Sequence, residues 1–225
     1  PQRIHRAKRT PQKSKPQATR PRQYWGIDMT KFMVPLVSWV YLVIVLDWFS
    51  KKIVGYSVSL RCRSQEWKSA IEMAVGKECP WGSREENIWL ISDNGSQPTS
   101  TSFMKDMTTL GIKQIFTSYD NPKGNADTER VIRTIKEEVI WLNDFTYMEE
   151  AKDKLTSWID RDYNLLYPHS TLNFLSPCEF EAKYYQDLEK SASKIIQDEI
   201  SHGDLSKTIN NFAGDFKKET ALLYT

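Results

Sequence analysis

The sequence predicts an α/β protein built on a five-stranded mixed sheet that is flanked by helices, and two patterns carry this prediction. Near the start of the folded part, Trp25, Ile27 and Met29 alternate with small or polar residues, which is the two-residue period of a half-buried strand. Short polar connections lead to two further apolar segments and indicate an antiparallel meander. Between residues 64 and 116, helical and strand patterns then alternate, as in parallel crossover units. A meander followed by such units is typical of a mixed sheet with helices on its faces.

Local sequence signals predict where the individual helices and strands begin and end. Ser64 is the expected N-cap of the first helix, and Gly111 is expected to end the second. The continuous apolar run at 88–91 is typical of a central strand that is covered on both faces. Residues 187–225 show no clear period. The predicted strands cover residues 24–30, 38–46, 53–59, 88–91 and 112–116, and the predicted helices cover residues 64–77, 99–110, 126–142, 148–164 and 177–185.

The charge distribution predicts an arm that binds a polyanion, either nucleic acid or, less often, an anionic membrane surface. The whole chain has a net charge of only +2, but residues 1–23 contain eight basic residues and no acid. The remaining residues contain 23 basic against 29 acidic side chains. Four prolines among polar residues make 1–23 an extended arm or linker that cannot bury a core. Its basic residues, which we expect to bind DNA, are Arg3, Arg6, Lys8, Arg9, Lys13, Lys15, Arg20 and Arg22.

Several functional classes are excluded by what the sequence lacks. The three cysteines are widely spaced and form no C-x-x-C pair, so we expect neither a disulfide framework nor a zinc knuckle. The longest apolar stretch, 32–46, is too short to span a membrane as a helix. Fingerprints of P-loop proteins, dinucleotide-binding proteins and serine hydrolases are absent, so no small-molecule cofactor is expected. Without an initiator Met or a signal segment, the chain is expected to be a piece of a longer cytoplasmic protein.

Three acidic residues stand out by position, and each also has an ordinary structural interpretation. Asp28 lies in a strand, where Asp is disfavoured, although it could cap a turn. Asp93 follows a buried strand, at the carboxyl edge where open α/β sheets bind ligands, although Asp-Asn-Gly is also a common turn. Glu129 borders the core-facing stripe of a long helix, with Arg133 and Lys136 on its own face. A surface pair of Glu129 with Arg133 is its alternative, and Asp127 is a rival acid.

Three carboxylates held close together would need a cation. Like charges a few ångström apart raise one another's pKa, and a hard divalent ion relieves the repulsion. Oxygen ligands suit Mg²⁺ or Mn²⁺, which also accept phosphate oxygens. Two such ions can catalyse displacement at a phosphodiester without a protein nucleophile. The three histidines do not pair at ligand spacing, so zinc is not indicated.

Five motifs resemble a known family. They occur in this order: W-G-I-D-M-T at 25–30, D-W-F-S-K-K-I-V-G at 47–55, S-D-N-G-S-Q at 92–97, N-P-K-G-N-A-D-T-E-R at 121–130 and Y-N-L-L-Y-P-H at 163–169. Together they resemble the integrase-type catalytic core of bacterial insertion-sequence transposases, relatives of retroviral integrases. The resemblance covers roughly residues 24–186. The 35 residues between Asp93 and Glu129 match the interval of that family's Asp, Asp, Glu triad and select Glu129 over Asp127.

The resemblance implies a ribonuclease H-like fold, two Mg²⁺ or Mn²⁺ ions, and cutting and joining of double-stranded DNA at transposon ends. Asp28, Asp93 and Glu129 would hold the metal, and Lys136 would contact DNA near the reacting phosphate. The protein would act as a dimer or larger assembly on DNA, in the cytoplasm of a bacterium and associated with its nucleoid. Asn94, Gly95 and Gln97 would shape the site. Residues 187–225 would form a tail of unassigned role.

Some residues depart from this pattern, and two other functions stay open. Tyr167 stands where many relatives carry Arg, and Pro98 stands where an aromatic residue is common. Asp47 is interpreted as a turn residue. A metal-dependent nuclease that does not join strands is one alternative, and a non-catalytic domesticated DNA-binding protein is the other. We interpret the tryptophans at 25, 39, 48 and 67 as core residues and not as base-stacking residues.

Overall fold

The computed structural model describes residues 16–117 and 124–202, with side chains up to residue 197. The strands are β1 (Tyr24–Val34), β2 (Ser38–Asp47), β3 (Ile53–Ser59), β4 (Trp89–Ser92) and β5 (Lys113–Phe116). The helices are α1 (Ser64–Glu78), α2 (Thr101–Thr109), α3 (Ala126–Ile135), α4 (Met148–Ser157) and α5 (Pro177–His202), with a 3₁₀ turn at Ser170–Leu172. Two π-helical segments extend α3 and α4, over Lys136–Ile140 and Trp158–Leu166.

The predicted mixed sheet is confirmed. Its strand order is β3-β2-β1-β4-β5, in which β1, β2 and β3 pair antiparallel while β4 runs parallel to both β1 and β5. β4 is short and pairs only with the first three residues of β1, Tyr24 to Gly26. From Ile27 onward, β1 therefore has β2 on one side and no described strand on the other. Asp28 lies on this open part of the strand.

The two faces of the sheet bury separate hydrophobic clusters, as strands with alternating side-chain directions require. On one face, α1 and α2 cover the odd-numbered residues of β1, and Trp67 meets Phe103 edge to face with ring centroids 6.3 Å apart. On the other face, α3 and α4 pack on the even-numbered residues of β2, with Ile135 and Ile159 fully buried. This second face carries the candidate site, because Asp28 is an even-numbered residue of β1.

One tryptophan differs from the prediction. Trp25, Trp48 and Trp67 are buried in the core as predicted, but 41% of Trp39 is exposed. Trp39 is the second residue of β2, opposite Met33 at the hairpin end of the strand pair, and it belongs to neither hydrophobic cluster. The prediction that it is a core residue is wrong, because the hydrophobic cluster on its own face of the sheet does not extend to this end, although Val34 and Val40 are buried on the opposite face.

The folded part also begins earlier than the charge pattern predicts. The Arg22 backbone N–H donates to Asp47 Oδ2 at 2.6 Å, and its buried guanidinium donates to the Glu78 carbonyl and pairs with Glu86. Arg20 also donates to the backbone, at the Glu86 carbonyl. Arg22 is therefore a structural residue that is not available to DNA, contrary to its predicted place in the arm. The other six basic residues of that arm lie outside the described residues: Arg3, Arg6, Lys8, Arg9, Lys13 and Lys15.

Asp47 organises the turn between β2 and β3, which confirms its interpretation as a turn residue. Its Oδ1 accepts the N–H groups of Phe49 and Ser50, and its Oδ2 accepts Trp25 Nε1–H in addition to Arg22 N–H. Burial raises the pKa of this carboxyl even though the three backbone N–H donors oppose the shift.

The C-terminal part forms more regular structure than the sequence pattern predicts. The predicted helix at 177–185 is only the beginning of α5, which continues to His202. The chain divides into two compact units, residues 1–177 and residues 178–225. Within the described residues, no helix combines the length and the apolar character needed to cross a membrane.

Candidate active site

Asp28 is the electrostatic centre of the candidate site. Its Oδ1 accepts the Met29 N–H at 2.7 Å. The pKa of Asp28 is raised to about 6, first by burial and then by the negative charges of Asp93 and Glu129, whereas the Met29 N–H and Lys136 oppose the shift. Three acids that are far apart in the sequence, and one cation, therefore act on one another at this point.

This electrostatic arrangement predicts that Asp28→Asn stabilises the metal-free protein. The pKa of Asp28 is higher in the folded protein than in the unfolded chain, so the ionised carboxylate lowers the free energy of unfolding above about pH 6. This loss disappears as the pH falls below the unfolded-state pKa of about 4. At pH 8 the Asn variant should have a larger free energy of unfolding by up to about 3 kcal/mol, and the difference should vanish near pH 3.5. Urea unfolding at both pH values measures this. A less stable variant at pH 8 would contradict it.

Asp93 follows β4 directly, in a loop that folds back on its carboxylate. The Gly95 N–H donates to Asp93 Oδ1 at 2.9 Å, and a Cβ at Gly95 would itself lie 2.9 Å from that oxygen. Glycine thus allows the backbone to approach the acid closely. Asn94 anchors the same loop, because its side-chain amide donates to the Thr117 carbonyl after β5. Gln97 donates to the Cys62 carbonyl at 3.2 Å and so connects the loop to the start of α1.

Glu129 lies at the N-terminal end of α3, and a close contact with β1 holds this end in place. A Cβ on Gly26 would lie 2.0 Å from Thr128 Oγ1 and 2.3 Å from Trp48 Nε1, so only glycine permits the approach. Trp48 Nε1–H donates to Thr128 Oγ1 at 3.2 Å. One residue before α3, the Asn125 amide donates to the Ile27 carbonyl, next to Asp28. These contacts bring the helix, and with it Glu129, to the strand that carries Asp28.

The structure separates Glu129 from its rival Asp127. Asp127 Oδ2 accepts a hydrogen bond from Lys51 Nζ at 2.9 Å, and the same ammonium donates to the Trp48 carbonyl. Asp127 is thereby held against the turn after β2. The exposed Glu129 side chain makes no ion pair with any described residue. Only Glu129 of the two contributes to the raised pKa of Asp28.

Lys136 and Arg133, the two cations that the sequence places on the same helix face as Glu129, are placed differently. Lys136 acts on Asp28, whose pKa it lowers. Arg133 is exposed and donates to Glu137 Oε1 at 2.8 Å, so the i,i+4 pair is made with Glu137 and not with Glu129. Tyr167 takes a structural position, where its hydroxyl donates to Glu138 Oε1 at 2.8 Å and its ring stacks on Tyr163.

The described side chains do not form a complete metal-binding site. Among them, no group of three or more His, Cys, Asp or Glu residues is close enough together to hold an ion. The donor set nevertheless fits a hard divalent cation. It consists of carboxylate oxygens, and burial together with the charges of Asp93 and Glu129 makes ionisation of Asp28 unfavourable without a cation.

Sequence reasoning missed the residues that position the site. Gly26, Thr128, Trp48 and Asn125 carry no catalytic chemistry, so they did not stand out. A signal was present in Gly26, because glycine inside a strand often marks a close approach of another backbone or side chain.

The mixed sheet, with its strand order and the helices on both faces, defines a ribonuclease H-like fold. Two models described as "Integrase core domain" match residues 18–122 and 110–177. The two matches together span residues 18–177, and the chain belongs to the integrase core domain family.

Curated relatives with this domain are bacterial transposases. The transposase for insertion sequence element IS904 of Lactococcus lactis is 32% identical over 164 residues, which cover 73% of this chain and 63% of the relative. The putative transposase InsK for IS150 of Escherichia coli is 31% identical over 75% of this chain and 57% of the relative. The chain thus spans about three fifths of the length of these relatives.

Solved structures show the same fold at lower identity. The simian T-cell lymphotropic virus intasome in complex with PP2A regulatory subunit B56 gamma matches with a TM-score of 0.58, at 20% identity, over 77% of this chain and 61% of that chain. The HTLV-2 integrase catalytic core domain in complex with magnesium matches with a TM-score of 0.54, at 18% identity, over 73% of this chain and 99% of that chain.

Proposed function

We propose that this chain is the catalytic core of a transposase that cleaves DNA strands and transfers them to new sites. The observation that supports the proposal is that the charges of Asp93 and Glu129 both act on Asp28, whose pKa is raised to about 6, first by burial and then by these two charges. The three acids come from β1, the end of β4 and the start of α3. The bacterial transposases that match over 56–63% of their own length supply the reaction class, transfer of a polynucleotide strand.

The three carboxylates would hold two Mg²⁺ or Mn²⁺ ions. The HTLV-2 core was solved with magnesium, which supports this choice of metal. When bound, such ions activate the attacking oxygen and stabilise the leaving oxygen of a phosphodiester. Glu129 would be positioned for this role by the contact of Thr128 with Gly26, and Asp93 by the loop that wraps its carboxylate. No protein nucleophile is required, since water and then a DNA 3′-hydroxyl would attack.

Lys136 would contact DNA beside the reacting phosphate. Its charge already acts on Asp28, so a phosphate bound there would lie within its reach. Arg133, exposed and one turn earlier on α3, would contact the DNA backbone further away. Two DNA ends have to be joined in one reaction, so we expect a dimer or larger assembly on double-stranded DNA. The fold match to a viral intasome is consistent with that expectation.

The test is resealing of a branched DNA that mimics a strand-transfer product. The purified chain is incubated with Mn²⁺ and the labelled branched DNA, and the product strands are sized. Metal-dependent resealing supports a strand-transfer site. Cutting without resealing would replace the proposal with a nuclease. DNA binding with no reaction in Mn²⁺ would favour the domesticated DNA-binding protein.

The basic N-terminal segment should supply affinity that depends on salt. Deleting residues 1–15 removes six basic residues but retains Arg20 and Arg22, which belong to the folded part. The slope of log K against log salt should become less negative by about 0.9 for each phosphate that the deleted residues neutralise in the intact chain. Fluorescence anisotropy over a salt series measures the slope, with a full-length variant carrying six Gln substitutions as the matched control. An unchanged slope would mean that this segment does not bind phosphates.

A further inference from the structure

A groove with a volume of about 880 Å³ opens beside the candidate active site. Met29, next to Asp28, lies in its wall, as do Gln97 from the loop after Asp93 and Lys136 from the helix of Glu129. The three acids do not line the groove, which runs along the open edge of β1 next to them. Its volume is within the range of about 300–1,000 Å³ for pockets that hold small ligands, which is enough for one or a few nucleotides.

The charge of the groove fits a nucleic acid strand. Four basic residues, Lys31, Arg61, Arg63 and Lys136, contribute to the lining, and no acid does. None of the four makes an ion pair with another residue in the described part of the chain. Cations that remain without a carboxylate partner are available to phosphate oxygens.

Trp39 supplies an aromatic surface in the same groove. It is 41% exposed and lies outside both hydrophobic clusters, so the core does not account for it. Lys31 Nζ lies over one face of its ring, 4.5 Å from the centroid, in a cation–π contact, and a base would stack on the other face. Tyr41, opposite Lys31 in the strand pair, lines the groove next to it. An exposed ring among cations is the arrangement on which single-stranded bases stack.

We propose that this groove binds an unpaired nucleotide of the DNA strand that enters the active site, with its base stacked on Trp39 and its phosphates paired with Lys31 and the neighbouring arginines. The inference rests on the proposed DNA-processing function and adds a substrate feature to it. The protein would then prefer DNA with a frayed or single-stranded end over blunt DNA. The preference would be tolerant of sequence, because every base has a stacking face.

The test compares Trp39→Ala with the wild-type full chain in DNA binding, measured by anisotropy without divalent metal. The ligands are a blunt duplex, the same duplex with a short single-stranded extension, and that extension made abasic. Trp39→Ala should weaken binding of the extended duplex about 5- to 100-fold, the range for removal of one base stack. Binding of the blunt duplex should change little. The abasic extension should weaken binding to the wild type but not further to the variant.

Two further variants keep the result specific. Trp39→Phe should retain most of the preference, because it keeps an aromatic face. Trp81→Ala removes another exposed tryptophan, 73% exposed and outside the groove, and should change nothing. The proposal would be overturned if Trp39→Ala lost equal affinity for blunt and extended DNA. It would also be overturned if the wild type bound the abasic and the intact extension equally well. The binding assay contains no divalent metal, so its result does not depend on whether the protein reseals branched DNA. Conversely, a loss of base stacking in Trp39→Ala leaves the three acids in place and does not test the proposed strand-transfer function.

Discussion

Asp93→Asn is expected to abolish strand cleavage and strand transfer while DNA binding is kept or strengthened. The substitution removes one of the proposed metal-holding carboxylates and one negative charge near phosphate. Even residues one shell further from a metal typically contribute about 10- to 100-fold to affinity or activity, so the loss should exceed about 100-fold. Asn keeps an oxygen that can accept the Gly95 N–H, so the loop should stay folded. Resealing of branched DNA in Mn²⁺ and anisotropy binding measure the two effects.

Asp106→Asn is the matched control for this variant. Asp106 is a partly exposed acid on α2 that lies 3.5 Å from Lys68, away from the candidate site. Asp106→Asn makes the same change in charge as Asp93→Asn. Turnover should stay within about twofold of the wild type, because the lost surface ion pair contributes at most about 1 kcal/mol to stability. Retained turnover in Asp93→Asn would remove Asp93 from the proposed triad. Loss of DNA binding along with activity would indicate misfolding and not a metal defect.

Gly26→Ala is expected to disrupt both stability and activity. The new Cβ would lie 2.0 Å from Thr128 Oγ1 and 2.3 Å from Trp48 Nε1, so α3 or the tryptophan has to move. Overpacking of this kind typically costs about 1–3 kcal/mol of unfolding free energy. If the helix moves, Glu129 moves with it, and a misplacement of about 1 Å can cost about 100-fold in rate. Urea unfolding and resealing of branched DNA measure the two losses.

A second glycine provides the control. Gly76 lies in α1, and a Cβ there would meet nothing within 4 Å. Gly76→Ala should therefore raise the unfolding free energy by up to about 1 kcal/mol, the difference in helix propensity, and leave activity unchanged. A Gly26→Ala protein as stable and as active as the wild type would show that the contact between α3 and β1 does not position the site.

Much of the fold could be predicted because period and turn chemistry are local properties. The strand at 53–59 is observed with the predicted bounds, and the helix at 64–77 is one residue longer, with Arg63 and not Ser64 as its N-cap. β1 extends four residues beyond its predicted end. Pairing with β2 lengthens it, and that pairing is a tertiary effect which the local pattern of β1 does not report.

The candidate site could be predicted in part for the same reason. The acids stand out because each occupies an unusual position in a local pattern. From the sequence, the choice between Asp127 and Glu129 depended on the family spacing. In the structure Asp127 forms an ion pair with Lys51, which holds it away from Asp28. The burial of Arg22 and the exposure of Trp39 depend on which elements lie next to them in space, so composition and period assigned both residues wrongly.

The open edge of β1 also bears on protection against edge-to-edge aggregation. Because β4 stops opposite Gly26, the backbone N–H and C=O groups that follow face no described strand and could template pairing with another molecule. Charged side chains on an edge strand discourage such pairing, and here they are Asp28 and the exposed Lys31. The charges proposed for metal and DNA would thus also protect against aggregation. Variants that neutralise them should be handled at low concentration, since reduced activity and reduced solubility can arise together.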